Sequence, residues 1–412
     1  MKPAIVNNEL VRCDGPESES DYLASLDNHL CTLVARPSAT LESVVRGARG
    51  AFPTVVAERL QFLGLDRSFP EESEINVAVE PSFTGPELHP LDFEWYFAPK
   101  SADDLARIIT SDVPEVLCLG APTVAAAIAR RGRRATLVDH NPLVSDRFRR
   151  EPGLLQFIVF DLFNPLPLTT AFPAVFFDAP WYPEFVSVWL WQAARLVHPG
   201  GLIAFALFPP LLRPGAEHER SNILEIASTL GPVEIMEEAL LYETPLFEWE
   251  VLARDGIHAI RDWRCADLVL IRAETIPRVY RPIVCNPQEK WDSFLLGRQV
   301  VKLRRQTRGE RDIILGSLRE FPDFLFPSVS MRDPRRGHID LWTSRNRVAQ
   351  VGQRNIVSDI LDHLSGDFDF DNLLKLADIS HYGEDDQELL ISNLQRILTF
   401  SGERTDAKDN NS

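Results

Sequence analysis

Four positions with chemical potential recur just after short apolar runs. Gly120 follows Glu-Val-Leu-Cys-Leu at 115–119 and leads into Ala121, Pro122 and Thr123. A glycine at such a strand-to-helix turn lets backbone amides approach a nucleotide-like cofactor. Pro122 suits the first position of the helix that follows. Asp139 ends the run Ala-Thr-Leu-Val-Asp, nineteen residues after Gly120, with His140 beside it. An acid at that spacing is placed to accept hydrogen bonds from ribose hydroxyls. Asp161 ends the next run and is followed by Leu162; Asp178 opens the string Asp178, Ala179, Pro180, Trp181, Tyr182 after another. Singly, each is an ordinary loop residue. Their shared placement is the stronger signal, because ligands of open α/β sheets bind outside the carboxyl ends of the strands.

The elements that must position them are short. Apolar runs at 115–119, 135–139, 157–161, 174–178 and 202–207 predict strands, and 123–130 and 186–197 predict helices between them. Near-continuous apolar strands alternating with helices indicate a parallel sheet covered on both faces. Residues 245–252 and 265–272 read as a closing pair of strands. Upstream, residues 21–35, a segment capped by Ser38 or Thr40, and a segment from Pro53 to Gly64 predict three short helices. The expected fold class is α/β: a Rossmann-like sheet at 86–275, a small helical or winged-helix-like domain at 1–85, and an α+β domain at 276–400. Residues 69–80, rich in Pro, Glu and Ser, read as a linker, and 401–412 as a disordered tail. The N-terminal helices fit either a docking element or a nucleic-acid-binding module.

Charge is spread unevenly. The 412 residues carry a formal net charge of −17, with 45% hydrophobic and 25% charged residues. Such a chain is not drawn non-specifically to polyanions. Yet residues 296–348 hold twelve Lys/Arg against six Asp/Glu, while 359–412 hold four against thirteen. The basic stretch 298–347, with Phe326 and Trp342, suits either the tracking of a nucleic-acid backbone or charge pairing with the acidic ends of the same chain. The arginines at 130–134 are expected to extend the first possibility. The five cysteines form no CxxC pair, and no histidine spacing matches a metal site, so no metal is expected. Asp367, Asp369 and Asp371 alternate with phenylalanine but lack the turn glycine of a calcium loop, so they read as the acidic start of a helix. The first residues lack a signal-peptide core and no uncharged run is long enough to span a bilayer, so no membrane partner and a cytoplasmic location are expected.

The order of these features resembles the class I S-adenosylmethionine-dependent methyltransferases. Asp178-Ala179-Pro180-Trp181-Tyr182 is similar to the Asp-Pro-Pro-aromatic motif of amino-group methyltransferases, with alanine at the first proline. Trp95-Tyr96-Phe97-Ala98-Pro99, the loop at Gly120, Asp139, and Phe160-Asp161-Leu162-Phe163-Asn164-Pro165 together resemble the N6-adenine-methyltransferase-like family over about residues 93–210. Branched-polyamine synthases are similar over a longer stretch, but carry an acidic loop where this chain has Gly120-Ala121-Pro122-Thr123-Val124.

What the resemblance implies is methyl transfer from S-adenosylmethionine to an amino group, on adenine N6 of a nucleic acid or on a protein lysine. Gly120, Ala121, Pro122, Thr123, Asp139, His140, Asp161 and Leu162 would then hold the cofactor. Asp178 would accept a hydrogen bond from the attacking N–H and stabilise positive charge growing on nitrogen. The Ala179 carbonyl would accept a second N–H, Pro180 would fix the loop, and Trp181 or Tyr182 would stack on a planar base or pack along a lysine stem. Aminopropyl transfer and a non-catalytic binding role are the alternatives.

Overall fold

Strands without a polar face must be covered on both sides, and the central strands here have that character. The computed structural model describes residues 18–66, 85–148, 153–257, 262–274, 281–282, 290–307, 313–366 and 383–398. The linker at 69–80, the acidic segment at 367–371 and the tail at 401–412 lie outside the described residues. Two compact units divide the chain. The first comprises Met1–Thr84, Trp95–Thr244 and Leu252–Pro287; the second comprises Gly85–Glu94, Pro245–Val251 and Gln288–Ser412.

The first unit is built on a seven-stranded sheet. Its strands are β1 (Glu115–Leu119), β2 (Arg134–Asp139), β3 (Leu155–Val159), β4 (Phe172–Phe177), β5 (Val197–Leu207), β6 (Val233–Leu241) and β7 (Cys265–Arg272). They lie in the order β3-β2-β1-β4-β5-β7-β6. β1 through β5 are parallel, and β7 runs antiparallel between β5 and β6. This is a Rossmann-like arrangement, as the sequence implied. The order reverses at β1 and β4, which opens a crevice at their carboxyl ends.

Helices cover the sheet. α4 (Pro99–Ile109), α5 (Pro122–Arg130) and α7 (Pro183–Leu196) each begin with proline at the first turn, where a missing N–H costs nothing. The short α6 (Leu143–Arg147) follows β2, and α8 (Ala216–Ser228) follows β5. Three upstream helices, α1 (Glu19–Val34), α2 (Leu41–Gly47) and α3 (Pro53–Phe62), match the sequence expectation closely. Ser18 and Thr40 close capping boxes on the first two. Their buried faces, with Leu26, Leu30, Val45, Val56 and Leu60, share a core with Leu252, Ile257 and Trp263.

Two sequence expectations are corrected. Residues 245–252 are not a strand: α9 (Leu246–Arg254) is a helix opened by Pro245, whose carbonyl accepts the N–H groups of Glu248 and Trp249. The alternating Phe-Glu-Trp-Glu-Val gives a period of two, but the proline at the start favours a helix. The strand paired with β7 is instead the polar β6, an edge strand with most residues exposed, which lacks the apolar signature of a buried strand. Asp161 also lies beyond its strand, because β3 ends at Val159.

The second unit carries a five-stranded antiparallel sheet, β10-β12-β11-β9-β8. The strands are β8 (Trp291–Leu296), β9 (Gln299–Arg304), β10 (Leu315–Gly316), β11 (Leu341–Thr343) and β12 (Val348–Val351). α10 (Arg354–Gly366) and a last helix, α11 (Glu384–Leu398), pack on it through Leu303, Leu341, Val351, Leu361 and Leu394. Its basic residues are largely engaged within the unit. Arg345 pairs with Glu87 at 2.9 Å, Arg347 with Glu250 at 2.9 Å, Arg305 with Asp292 at 2.8 Å, and Lys302 with the buried Asp92. The partners lie outside the acidic C-terminal stretch. Among the described residues, no helix is long and apolar enough to cross a membrane, and no cluster of potential metal ligands occurs.

Candidate active site

The carboxyl ends of β1, β2 and β4 bring three of the four sequence features together. Gly120 adopts φ +62° and gives its N–H to the Val138 carbonyl at 2.8 Å. A Cβ there would lie 2.6 Å from the Trp189 ring and 3.2 Å from the Asp178 carbonyl oxygen. Only glycine therefore fits, on grounds of both backbone and space. The Asp178 N–H in turn reaches the Leu119 carbonyl at 3.2 Å, which ties the two strand ends together.

The first loop turns straight into α5. Ala121 and Pro122 are buried, and Pro122 has no N–H to offer. Thr123 is 4% exposed, and its Oγ1 makes no hydrogen bond among the described residues. An unbonded buried hydroxyl costs about 1–3 kcal/mol, so a polar ligand at the start of α5 would relieve it. Asp139 is also buried. Its Oδ1 accepts the Asn141 N–H at 2.9 Å and lies 3.4 Å from Nδ1 of the partly exposed His140. An unbonded hydroxyl, a glycine-lined turn and a buried carboxylate at adjacent strand ends fit a ribose-bearing cofactor with a polar tail.

Asp161 and Leu162 occupy a different kind of place. Asp161 Oδ1 accepts the Phe163 N–H at 3.0 Å, and Asn164 Nδ2 approaches Oδ2 at 3.4 Å. The carboxylate thus shapes its own turn. Gln192, fully buried on α7, holds this loop through the Leu162 carbonyl at 2.9 Å, the Asn164 carbonyl at 2.5 Å and the Leu166 N–H at 3.3 Å. The loop is joined to the site through Phe160, whose N–H meets the Asp139 carbonyl at 2.8 Å.

Asp178 follows directly on the carboxyl end of β4. Burial pushes its carboxyl up to about 8, against the opposing effects of a hydrogen bond from Tyr242 and the charge of Arg264. The Tyr242 O–H donates to Oδ1 at 2.9 Å. Burial and the neighbouring carboxyl hold the Tyr242 hydroxyl well above its usual range, so it stays a donor. Tyr242 stacks on Phe97 with ring centroids 4.4 Å apart, and meets Trp181 edge-on at 5.6 Å. Ala179 is buried, and the Pro180 carbonyl accepts the Tyr182 N–H at 2.6 Å. Arg213 braces the loop from α8's approach: it donates to the Trp181 carbonyl at 2.8 Å, pairs with Glu219 at 2.5 Å, and lies over the Tyr182 ring at 5.3 Å. This clamp stabilises the Asp178–Tyr182 loop.

Tyr242, Arg264 and Arg213 escaped sequence reasoning. Tyr242 follows β6, the strand the apolar pattern concealed. Arg264 precedes β7, whose antiparallel course brings a strand beginning to the edge where the parallel strands end. Their N–H and C=O meet at 3.0 Å. The one local signal was the aromatic segment at 95–97, since Tyr96 and Ala98 bond the backbone of Glu243 and Leu241. The arginines at 130–134 are not brought to the site: they lie where α5 enters β2, at the amino-end edge of the sheet.

No protein-family model matches the chain, and no curated protein matches it. Solved structures do show likeness. A branched-chain polyamine synthase mutein from Thermus thermophilus, solved with N4-aminopropylspermidine and 5'-methylthioadenosine, is 16% identical; the match covers 64% of this chain and 93% of that one, with a TM-score of 0.49. The N-methyltransferase NodS from Bradyrhizobium japonicum is 17% identical over 43% of this chain and 96% of that one, with a TM-score of 0.31. The CcbJ methyltransferase from Streptomyces caelestis is 15% identical over 30% of this chain and 56% of that one, with a TM-score of 0.25.

Proposed function

We propose that this chain is an S-adenosylmethionine-dependent methyltransferase acting on an amino group. The observation that carries the reading is Asp178: a half-buried residue, its carboxyl hydrogen-bonded by Tyr242, at the switch point of the sheet and in backbone contact with the end of β1 beside Gly120. Thr123 and Asp139 are the groups offered to the cofactor, with Gly120 giving it close access and His140 flanking Asp139. When bound, S-adenosylmethionine supplies a methyl group on a cationic sulfur, which leaves with the S–C bonding pair.

The residues of the chain position the amine and manage its proton. Asp178 accepts an amine N–H and directs the nitrogen lone pair, and the Ala179 carbonyl accepts a second N–H. As the N–C bond forms, the nitrogen gains positive charge and its proton passes to Asp178. A carboxyl raised to about 8 is a stronger base than an ordinary aspartate and matches work near neutral pH. Such proton transfer typically contributes about 10²–10⁴ in rate. The surrounding aromatic side chains, Phe97, Trp181 and Tyr242, exclude water from this exchange.

The test is transfer of labelled methyl from S-adenosylmethionine to a cell extract, with nuclease and protease digestion of the product, alongside calorimetry of cofactor binding. Label in an amine of the product supports the reading. Absence of cofactor binding, or a product heavier by more than a methyl group, overturns it.

A further inference from the structure

Three indoles surround one guanidinium at the acceptor side. Arg264 Cζ stands 3.5 Å from the ring centroid of Trp95, 4.8 Å from that of Trp181 and 5.3 Å from that of Trp263. Trp181 meets the Tyr242 ring, and Tyr242 bonds Asp178. Two aromatic side chains, Trp181 and Tyr242, thus link the guanidinium to the carboxyl, and its charge acts on that carboxyl.

A cage of aromatic faces is the chemistry that recognises an alkylammonium. Here the protein's own cation fills the enclosure. A guanidinium stacks flat on indole and does not lose its proton at any working pH, so the occupancy is permanent. A lysine ammonium or a polyamine arriving at Asp178 meets a fixed positive charge, and the Trp95 and Trp181 rings already hold Arg264. An uncharged amine meets neither obstacle and brings a free lone pair without prior loss of a proton.

We propose that Arg264 is a specificity-determining residue that restricts the acceptor to an uncharged amine by occupying the aromatic site a cationic amine would need. The inference rests on Asp178 marking the acceptor side.

Two probes of similar size separate the possibilities: aniline, uncharged at neutral pH, and benzylamine, cationic there. Each is titrated by ligand-observed NMR into the full chain saturated with S-adenosylhomocysteine, at physiological salt. In the wild type, aniline binds more tightly than benzylamine. In Arg264→Gln the order reverses, with benzylamine gaining roughly tenfold, about 1.4 kcal/mol, and aniline changing little. Benzylamine binding the wild type at least as tightly as aniline overturns the proposal, as does an unchanged ratio in the variant or silence from both probes in both proteins. Circular dichroism checks the fold of Arg264→Gln; should it not fold, the wild-type order alone decides. Failure of S-adenosylhomocysteine to bind the wild type sinks the methyltransferase reading, whereas its binding with the wrong probe order sinks only the role of Arg264.

Discussion

The hydroxyl of Tyr242 donates to Oδ1 of Asp178 across 2.9 Å, joining the carboxyl end of β6 to that of β4. The bond favours the ionised carboxylate and opposes the effect of burial. Tyr242→Phe removes it while keeping the ring on Phe97. A hydrogen bond to a charged group is worth about 1.5–3 kcal/mol, or about one to two pH units. The pH at which the transfer rate reaches half its plateau should therefore rise by about that much. A pH–rate profile measures it, and an unmoved midpoint would remove Tyr242 from the control of Asp178.

The same carboxyl couples stability to pH. Its folded-state value of about 8 lies above the unfolded value near 3.8. Between those limits the folded protein holds a proton that the unfolded chain has released, so stability falls as pH rises through the window. Asp178→Asn has no such titration. Thermal melts of the cofactor-free proteins should show the wild type losing stability relative to Asp178→Asn as pH rises toward 8. The variant should also lose transfer while binding cofactor nearly as before.

Asp139 is the carboxylate offered to the ribose. Asp139→Ala should weaken S-adenosylmethionine binding by about 1–3 kcal/mol, the cost of an unsatisfied polar partner. Calorimetry reads this directly. Unchanged affinity would confine Asp139 to its turn with Asn141.

Gln192 holds two carbonyls and one N–H of the 162–166 loop from inside the core. Gln192→Leu fills the space but leaves those groups without their partner. A stability loss of about 2–4 kcal/mol is expected by urea unfolding. A neutral substitution would mean that water or a loop shift satisfies the loop equally well.

Gly120 tolerates no side chain. Gly120→Ala forces a Cβ toward Trp189 at a positive φ. A loss of about 1–3 kcal/mol in a thermal melt is expected, together with weaker cofactor binding.

The sequence by itself determined the parallel core. β1, β2, β4 and β5 are buried on both faces, so their composition alone marks them, and their ends carry Gly120, Asp139 and Asp178 by chain connectivity. The cap at Thr40 and the prolines that open α3 and α5 are equally local, and were legible for that reason. Tertiary structure decided what surrounds Asp178. β6 is an exposed edge strand with little apolar pattern, and 245–252 alternates like a strand yet is helical from Pro245. No spacing in the chain relates Asp178 to Tyr242, 64 residues on. The antiparallel course of β7 decided it, setting Tyr242 and Arg264 at the edge where the parallel strands end. The charge of the 298–347 segment was visible in the sequence; three of the acids that pair with it, Glu87, Asp92 and Glu250, lie far along the chain and meet it only on folding.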